Sequence, residues 1–178
     1  MDIYSKLKSR IHTTYKIWCS IRKNYVYSNY LNHNKLTSRH SQYIRYNLFA
    51  MLIIELAKLF VDRNNHNFNL HNLIKDISST GKYKELEISD SFVNESEALL
   101  ARHSPLISEI HVLRDKLYAH TDPDFKAPDL SEGFWQKIDE LVAIGFNIIF
   151  HLGIWICDKH FDNGRHLANL YGFEKRVK

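Results

Sequence analysis

Cysteine is scarce in this chain. Cys19 and Cys157 are the only two, too few for a disulfide framework and without the paired spacing of a zinc site. Both sit in apolar, helical contexts, which suggests buried free thiols in a reducing compartment. Three prolines and six glycines in 178 residues gather at breaks and leave long stretches that nothing interrupts. No stretch alternates cleanly between apolar and polar residues, so a sheet is not expected. A Gly-rich phosphate loop, a Ser-His-Asp order and an internal repeat are also missing, so no cofactor is expected. The opening Met1-Asp2-Ile3-Tyr4-Ser5-Lys6 lacks the apolar core of a secretion signal, and a cytoplasmic location is expected. These absences leave an all-α fold. The expectation is one domain over residues 1–178, an antiparallel bundle of about five or six helices.

The apolar residues say where those helices run. Leu7, Ile11, Thr14, Trp18, Ile21 and Tyr25 are spaced alternately by four and three, which predicts a helix from residue 3 to about 33. Lys6, Lys8, Arg10, Lys16, Arg22 and Lys23 fill much of its other side. A second helix, Ser41 to Asp62, carries a wide apolar face. Glu55 interrupts that face, and its expected place is the edge, paired to Lys58 or left in water; Arg114 or a tyrosine is the alternative partner. A short helix from Leu70 to Ile77 follows, and Lys82 to Ser89 reads as a loop free to move over a groove. Asp90 or Ser91 caps a further helix to about His103. The last long helix, Glu132 to His160, is apolar on nearly every face from Leu141 to Cys157, apart from Asn147 and His151. That stretch is short for a membrane span, and burial by its own bundle on one side and a partner chain on the other is the simpler reading. His66 and His71 lack further ligands at metal spacing, so no metal site is expected.

Chemistry collects in Leu113-Arg114-Asp115-Lys116-Leu117-Tyr118-Ala119-His120. Ser104 and Pro105 suit an N-cap and first helical residue, and Pro123 stops what they start, so this helix is expected from about Pro105 to about His120. Arginine keeps its charge and its planar fork suits phosphate oxygens, while histidine exchanges a proton near neutrality. Together they suffice, without a metal, to cleave RNA: one moves the proton of the attacking 2′-hydroxyl, the other stabilises charge on the phosphorane. Spacing sets a condition. Arg114 and His120 are six residues apart, pointing about 120° away from each other and separated by roughly 9 Å along the axis. Either the helix end distorts near Ala119 or two chains pool their pairs across a two-fold axis, and the second is preferred. His111 and Tyr118 share a face with Arg114 and are candidates for the rim, although an ordinary hydrogen-bonded histidine is the commoner case.

This segment resembles the signature of the HEPN superfamily: an Arg, a polar residue, and a His a few positions later. The longer string Arg-Asp-Lys-x-x-Ala-His-x-Asp is similar to the abortive-infection (AbiU-like) branch, with a weaker likeness from Gln42 to Asp62 and a clear extent of roughly residues 40 to 160. The resemblance implies an all-α domain, a homodimer, and metal-independent ribonuclease activity in the active members. By that likeness Arg114 and His120 are catalytic and Asp115 orients or modulates the pair. It also implies a toxin or phage-defence effector, with an antitoxin or other regulatory protein as a further partner. Some HEPN proteins lack activity, so the alternative is a non-catalytic module binding a nucleotide, an RNA or a protein.

Charge distribution bears on the partner. Up to Tyr46 there are nine Lys or Arg and one acid, Asp2, a balance of +8 against +4 for the whole chain, which leaves −4 for the rest. A basic first third can follow a nucleic-acid backbone or simply solubilise a tyrosine-rich helix. Lys116, Tyr118 and His111 are the expected substrate contacts beside the Arg114 site. No membrane partner is expected.

Overall fold

The computed structural model describes residues 2–34, 38–62, 67–118 and 132–160. Among them are six α-helices, a single 3-10 turn and no strand: α1 (Ile3–His33), α2 (Arg39–Phe60), α3 (Leu70–Ile77), the 3-10 turn Lys84–Leu86, α4 (Asp90–Arg102), α5 (Ser104–Tyr118) and α6 (Glu132–His160). The fold is all-α, as the periodicity requires.

Three long helices share the core. α1 runs antiparallel to α6, since Tyr4 stacks on Trp155, Trp18 lies beside Phe146, and Tyr25 lies beside Trp135. The Trp18 indole donates to the Val142 carbonyl at 2.8 Å, so that ring is held by a hydrogen bond as well as by packing. α2 lies parallel to α6: Phe49 meets Phe134 and Trp135 near one end, and Phe60 reaches Gly145 further along. A Cβ on Gly145 would stand 2.9 Å from the Phe60 ring, so glycine is what lets α2 and α6 approach this closely. The stripe Leu7, Ile11, Thr14 and Ile21 is buried, with Trp18 and Tyr25 half-buried.

Caps explain the boundaries. Ser38 starts α2 by accepting from the Ser41 N–H at 3.1 Å, so the helix begins two residues before the expected Ser41. Fully buried Asn69 does two jobs, accepting from the Asn72 N–H at 2.7 Å to cap α3 and donating to the Val61 carbonyl at 3.1 Å beyond the end of α2. α4 and α5 meet at one residue, His103, whose carbonyl accepts from Ile107. Pro105 is the second residue of α5, where a missing N–H costs nothing; it starts a helix rather than kinking one. His103 therefore takes the capping place expected of Ser104. Its ring bonds the Leu99 carbonyl at 2.9 Å and lies 3.6 Å from Glu140 of α6.

Two expectations need correction. The stretch Lys82–Ser89 is packed, not loose, with Tyr83, Leu86 and Ile88 buried. It folds back onto α3 because Gly81 passes where any Cβ would meet the Lys75 carbonyl at 2.3 Å. Arg10 does not face solvent: it is buried, donating to the Asn67 carbonyl and to Asp76 of α3. On α6, Val142, Ile144, Ile149 and Ile156 are buried within the chain itself, and Asn147 and His151 are exposed. Its own bundle thus covers part of the apolar girth of α6, while Phe146, Phe150, Ile154 and Trp155 stay half-buried. One described stretch, Glu132–Ile156, is long and apolar enough to cross a membrane, with a mean hydropathy of 1.5, yet half of it is buried as in a core helix.

Candidate functional site

The end of α5 is where the motif residues fall. α5 lies against α2 and buries Leu106, Ile107, Ile110 and Leu113. Arg114 follows Ile110 by four and Ile107 by seven, so its stem continues their stripe rather than pointing to the solvent side. Its side chain is only 11% exposed although it carries a charge. The compensation is Asp115: Nε of Arg114 donates to Oδ1 of Asp115 at 2.9 Å, and Nη2 donates to the same oxygen. The other carboxylate oxygen, Oδ2, lies 3.5 Å from Nε2 of His111 one turn back. Asp115 is thus a bridge between an arginine and a histidine, all three on one helix.

This arrangement restricts the guanidinium. Two of its three nitrogens converge on one oxygen, which sets the plane of the fork, while Nη1 has no hydrogen-bond partner among the described residues. A planar cation held on one edge keeps its remaining donors for a phosphate oxygen. Asp115, more than half exposed, keeps the cluster in contact with water on its outer side. Lys116 beside it is also exposed. The chain therefore brings Arg114, Asp115 and His111 together, with Lys116 next to them.

His120 lies outside the described residues, as does the side chain of Tyr118, which closes α5. Glu55, the alternative partner of Arg114, is buried and bonded to Lys58 at 2.8 Å, so it keeps the local pairing read from its spacing although it sits deeper than the edge. Cys19 is a half-buried free thiol. Among the described residues no group of three His, Cys, Asp or Glu side chains could hold a metal ion. Sequence reasoning placed His111 on the Arg114 face but missed its link to Asp115. The signal was available, since residues four apart on a helix are neighbours.

A comparison with protein families matches AbiU2, a HEPN family, over residues 2–174, nearly the whole chain. The chain belongs to the AbiU2 family. The AbiU2 match reaches well beyond residues 40–160 and takes in α1. No curated protein and no solved structure matches the chain. Membership of AbiU2 places the chain in the HEPN superfamily, in its abortive-infection branch, as a HEPN-type module.

Proposed function

We propose that this AbiU2 protein is a metal-independent endoribonuclease in which Arg114, Asp115 and His120 act on one phosphodiester. The observation that carries the reading is the guanidinium of Arg114, mostly shielded from water and oriented by Asp115 at the end of the motif helix. Arg114 clamps a non-bridging phosphate oxygen and offsets the charge that grows on the phosphorane. His120 transfers the proton: the 2′-oxygen gives one up as it bonds to phosphorus, and the departing 5′-oxygen takes one as its bond breaks. The products carry a 2′,3′-cyclic phosphate and a 5′-hydroxyl. Asp115 is a positioning residue, with His111 on its second oxygen. Two chains meeting at α5 supply the histidine of one beside the arginine of the other, which answers the angular mismatch of a single straight helix. In the cell such an enzyme is a toxin or defence effector restrained by a regulatory protein.

The test is cleavage of mixed RNAs by the full chain in EDTA, beside Arg114→Ala and His120→Ala, with sedimentation to read the assembly. Loss of cutting in both variants, with helicity and assembly unchanged, is the expected result. No cutting by the wild-type chain on varied RNAs overturns the enzyme. One observation favours a second reading, a non-catalytic binding module: the charge of Arg114 is already answered by Asp115, as in an ion pair that serves packing. On that reading both variants leave no activity to lose, and Arg114→Ala costs ligand binding alone.

A further inference from the structure

We infer that the outer face of the second half of α1, continued by the start of α2, is a track for single-stranded RNA, distinct from the Arg114 cluster. The inference deepens the proposed function and rests on it only for the choice of RNA over DNA. Its basis is a run of sequence without acid. Between Asp2 and Glu55 the chain contains no carboxylate. A solvated helix face ordinarily mixes the two signs and gains from pairs four residues apart. Here no such pair can form within α1 or the first half of α2. The buried cation of this stretch, Arg10, draws its carboxylate from α3.

Two of the exposed lysines of α1 fall in a line with a tyrosine. Lys16, Lys23 and Tyr30 recur every seven residues, and Tyr27 lies one turn beyond Lys23. The fourteen steps from Lys16 to Tyr30 span about 21 Å along one side of α1. Arg39 and Tyr43, four apart at the start of α2, lie at the same end because the two helices are joined by a short connection and pack against each other. Lys16, Lys23 and Arg39 are exposed, and Tyr27, Tyr30 and Tyr43 are 52%, 60% and 68% exposed. Rings more than half in water contribute little to the core, and they do not solubilise a helix as lysine or glutamate would. They do offer faces on which unpaired bases stack, while flanking cations take the phosphates. A membrane surface fits less well, since Val26 is the only aliphatic residue among the exposed large hydrophobics of α1.

Fluorescence anisotropy on the full chain tests this with an uncleavable 2′-O-methyl RNA of about 12 nucleotides. Binding is expected to weaken steeply with salt, and a duplex of equal length to bind at least about tenfold more weakly. Tyr30→Ala and Tyr43→Ala each lose about tenfold, whereas Tyr30→Phe keeps the ring and binds as wild type. Lys23→Gln lowers the salt slope by about one. Equal binding of duplex and single strand overturns the proposal, as do tyrosine variants that bind normally. So do phosphatidylserine vesicles that displace the RNA, or a dimer that dissociates on Tyr30→Ala, which makes the face a contact between copies. Binding without cutting removes the proposed enzyme and leaves the track. Cutting with normal KM in Tyr30→Ala and Tyr43→Ala does the reverse.

Discussion

Arg10 and Arg114 are nearly equal in exposure, 9% and 11% at the side chain, and each is paired to an aspartate. They differ in where the partner comes from. Asp76 lies 66 residues from Arg10 on another helix, and the Asn67 carbonyl joins it, so the guanidinium ties α1 to α3 and to the turn before it. Asp115 is the next residue after Arg114, and His111 is on the same helix. The first pair closes a loop of the fold. The second orients a side chain along its own helix. A buried charge fixed across the bundle is architecture; one fixed only by its own helix is available for something else.

Arginine substitutions at the two positions should therefore fail in opposite ways. Arg114→Ala is expected to lower RNA cutting by about 100-fold or more while leaving the urea midpoint almost unchanged. The Arg114–Asp115 pair, half in water through Asp115, contributes less than about 1 kcal/mol to stability. Arg10→Ala should do the converse. It strands Asp76 and leaves a void beside α3, at a cost of about 2 kcal/mol in urea unfolding, discounted because Asp76 is 34% exposed. Cutting per folded molecule should stay near wild type. If Arg114→Ala unfolds the chain and Arg10→Ala abolishes cutting in a folded one, the comparison is inverted and the proposed site is misplaced.

Asp115→Asn sharpens the same contrast with a smaller effect. An amide oxygen still accepts from Arg114 but no longer balances its charge, so kcat should fall about tenfold with helicity intact. A purely packing role predicts no such loss. Gly145→Ala provides a reference for how rigidly α2 and α6 are set. Its Cβ would press on the Phe60 ring at 2.9 Å and approach Trp18 at 3.4 Å. Overpacking costs about 1–3 kcal/mol, and the better helix propensity of alanine returns up to about 1 kcal/mol, so a net loss of about 1 kcal/mol is expected in urea unfolding.

The same contrast explains what was legible in the sequence. Helical spacing alone placed α1, α3 and α6, because each carries an unbroken stripe and ends at polar residues. The pairing of Glu55 with Lys58 and the place of Asp115 beside Arg114 were legible too, since both partners are neighbours along the chain. Arg10 was not. Nothing local distinguishes it from Lys6 or Lys8, and its partner can be found only once α3 has folded against α1. The packed stretch around Tyr83, Leu86 and Ile88 escaped for a related reason, as their spacing of three and two matches neither a helix nor a strand. Its shape depends on Gly81 meeting backbone carbonyls of α3. As for the candidate site, sequence supplied its residues and the fold supplied the shielding of Arg114 and the His111 link, while His120 lies outside the described residues.

Tyr25 offers the finest test of cross-helix coupling, since it belongs to α1 and its influence comes from Asp139 of α6. Burial raises the phenol above its ordinary 10.0, and the Asp139 carboxylate, which also accepts its hydrogen bond, raises it further. The proton is therefore held more tightly in the folded chain than in the unfolded one. Below 10.0 this contribution to stability is fully present. As pH climbs past that value the unfolded chain ionises first, and stability falls until the folded phenol has ionised as well. Tyr25→Phe cannot ionise and should make the alkaline decline of the urea midpoint shallower. Asp139→Asn removes the carboxylate and leaves the burial of Tyr25 in place. A shallower alkaline decline in Asp139→Asn shows Asp139 acting across the α1–α6 contact. An unchanged decline would leave desolvation as the whole cause.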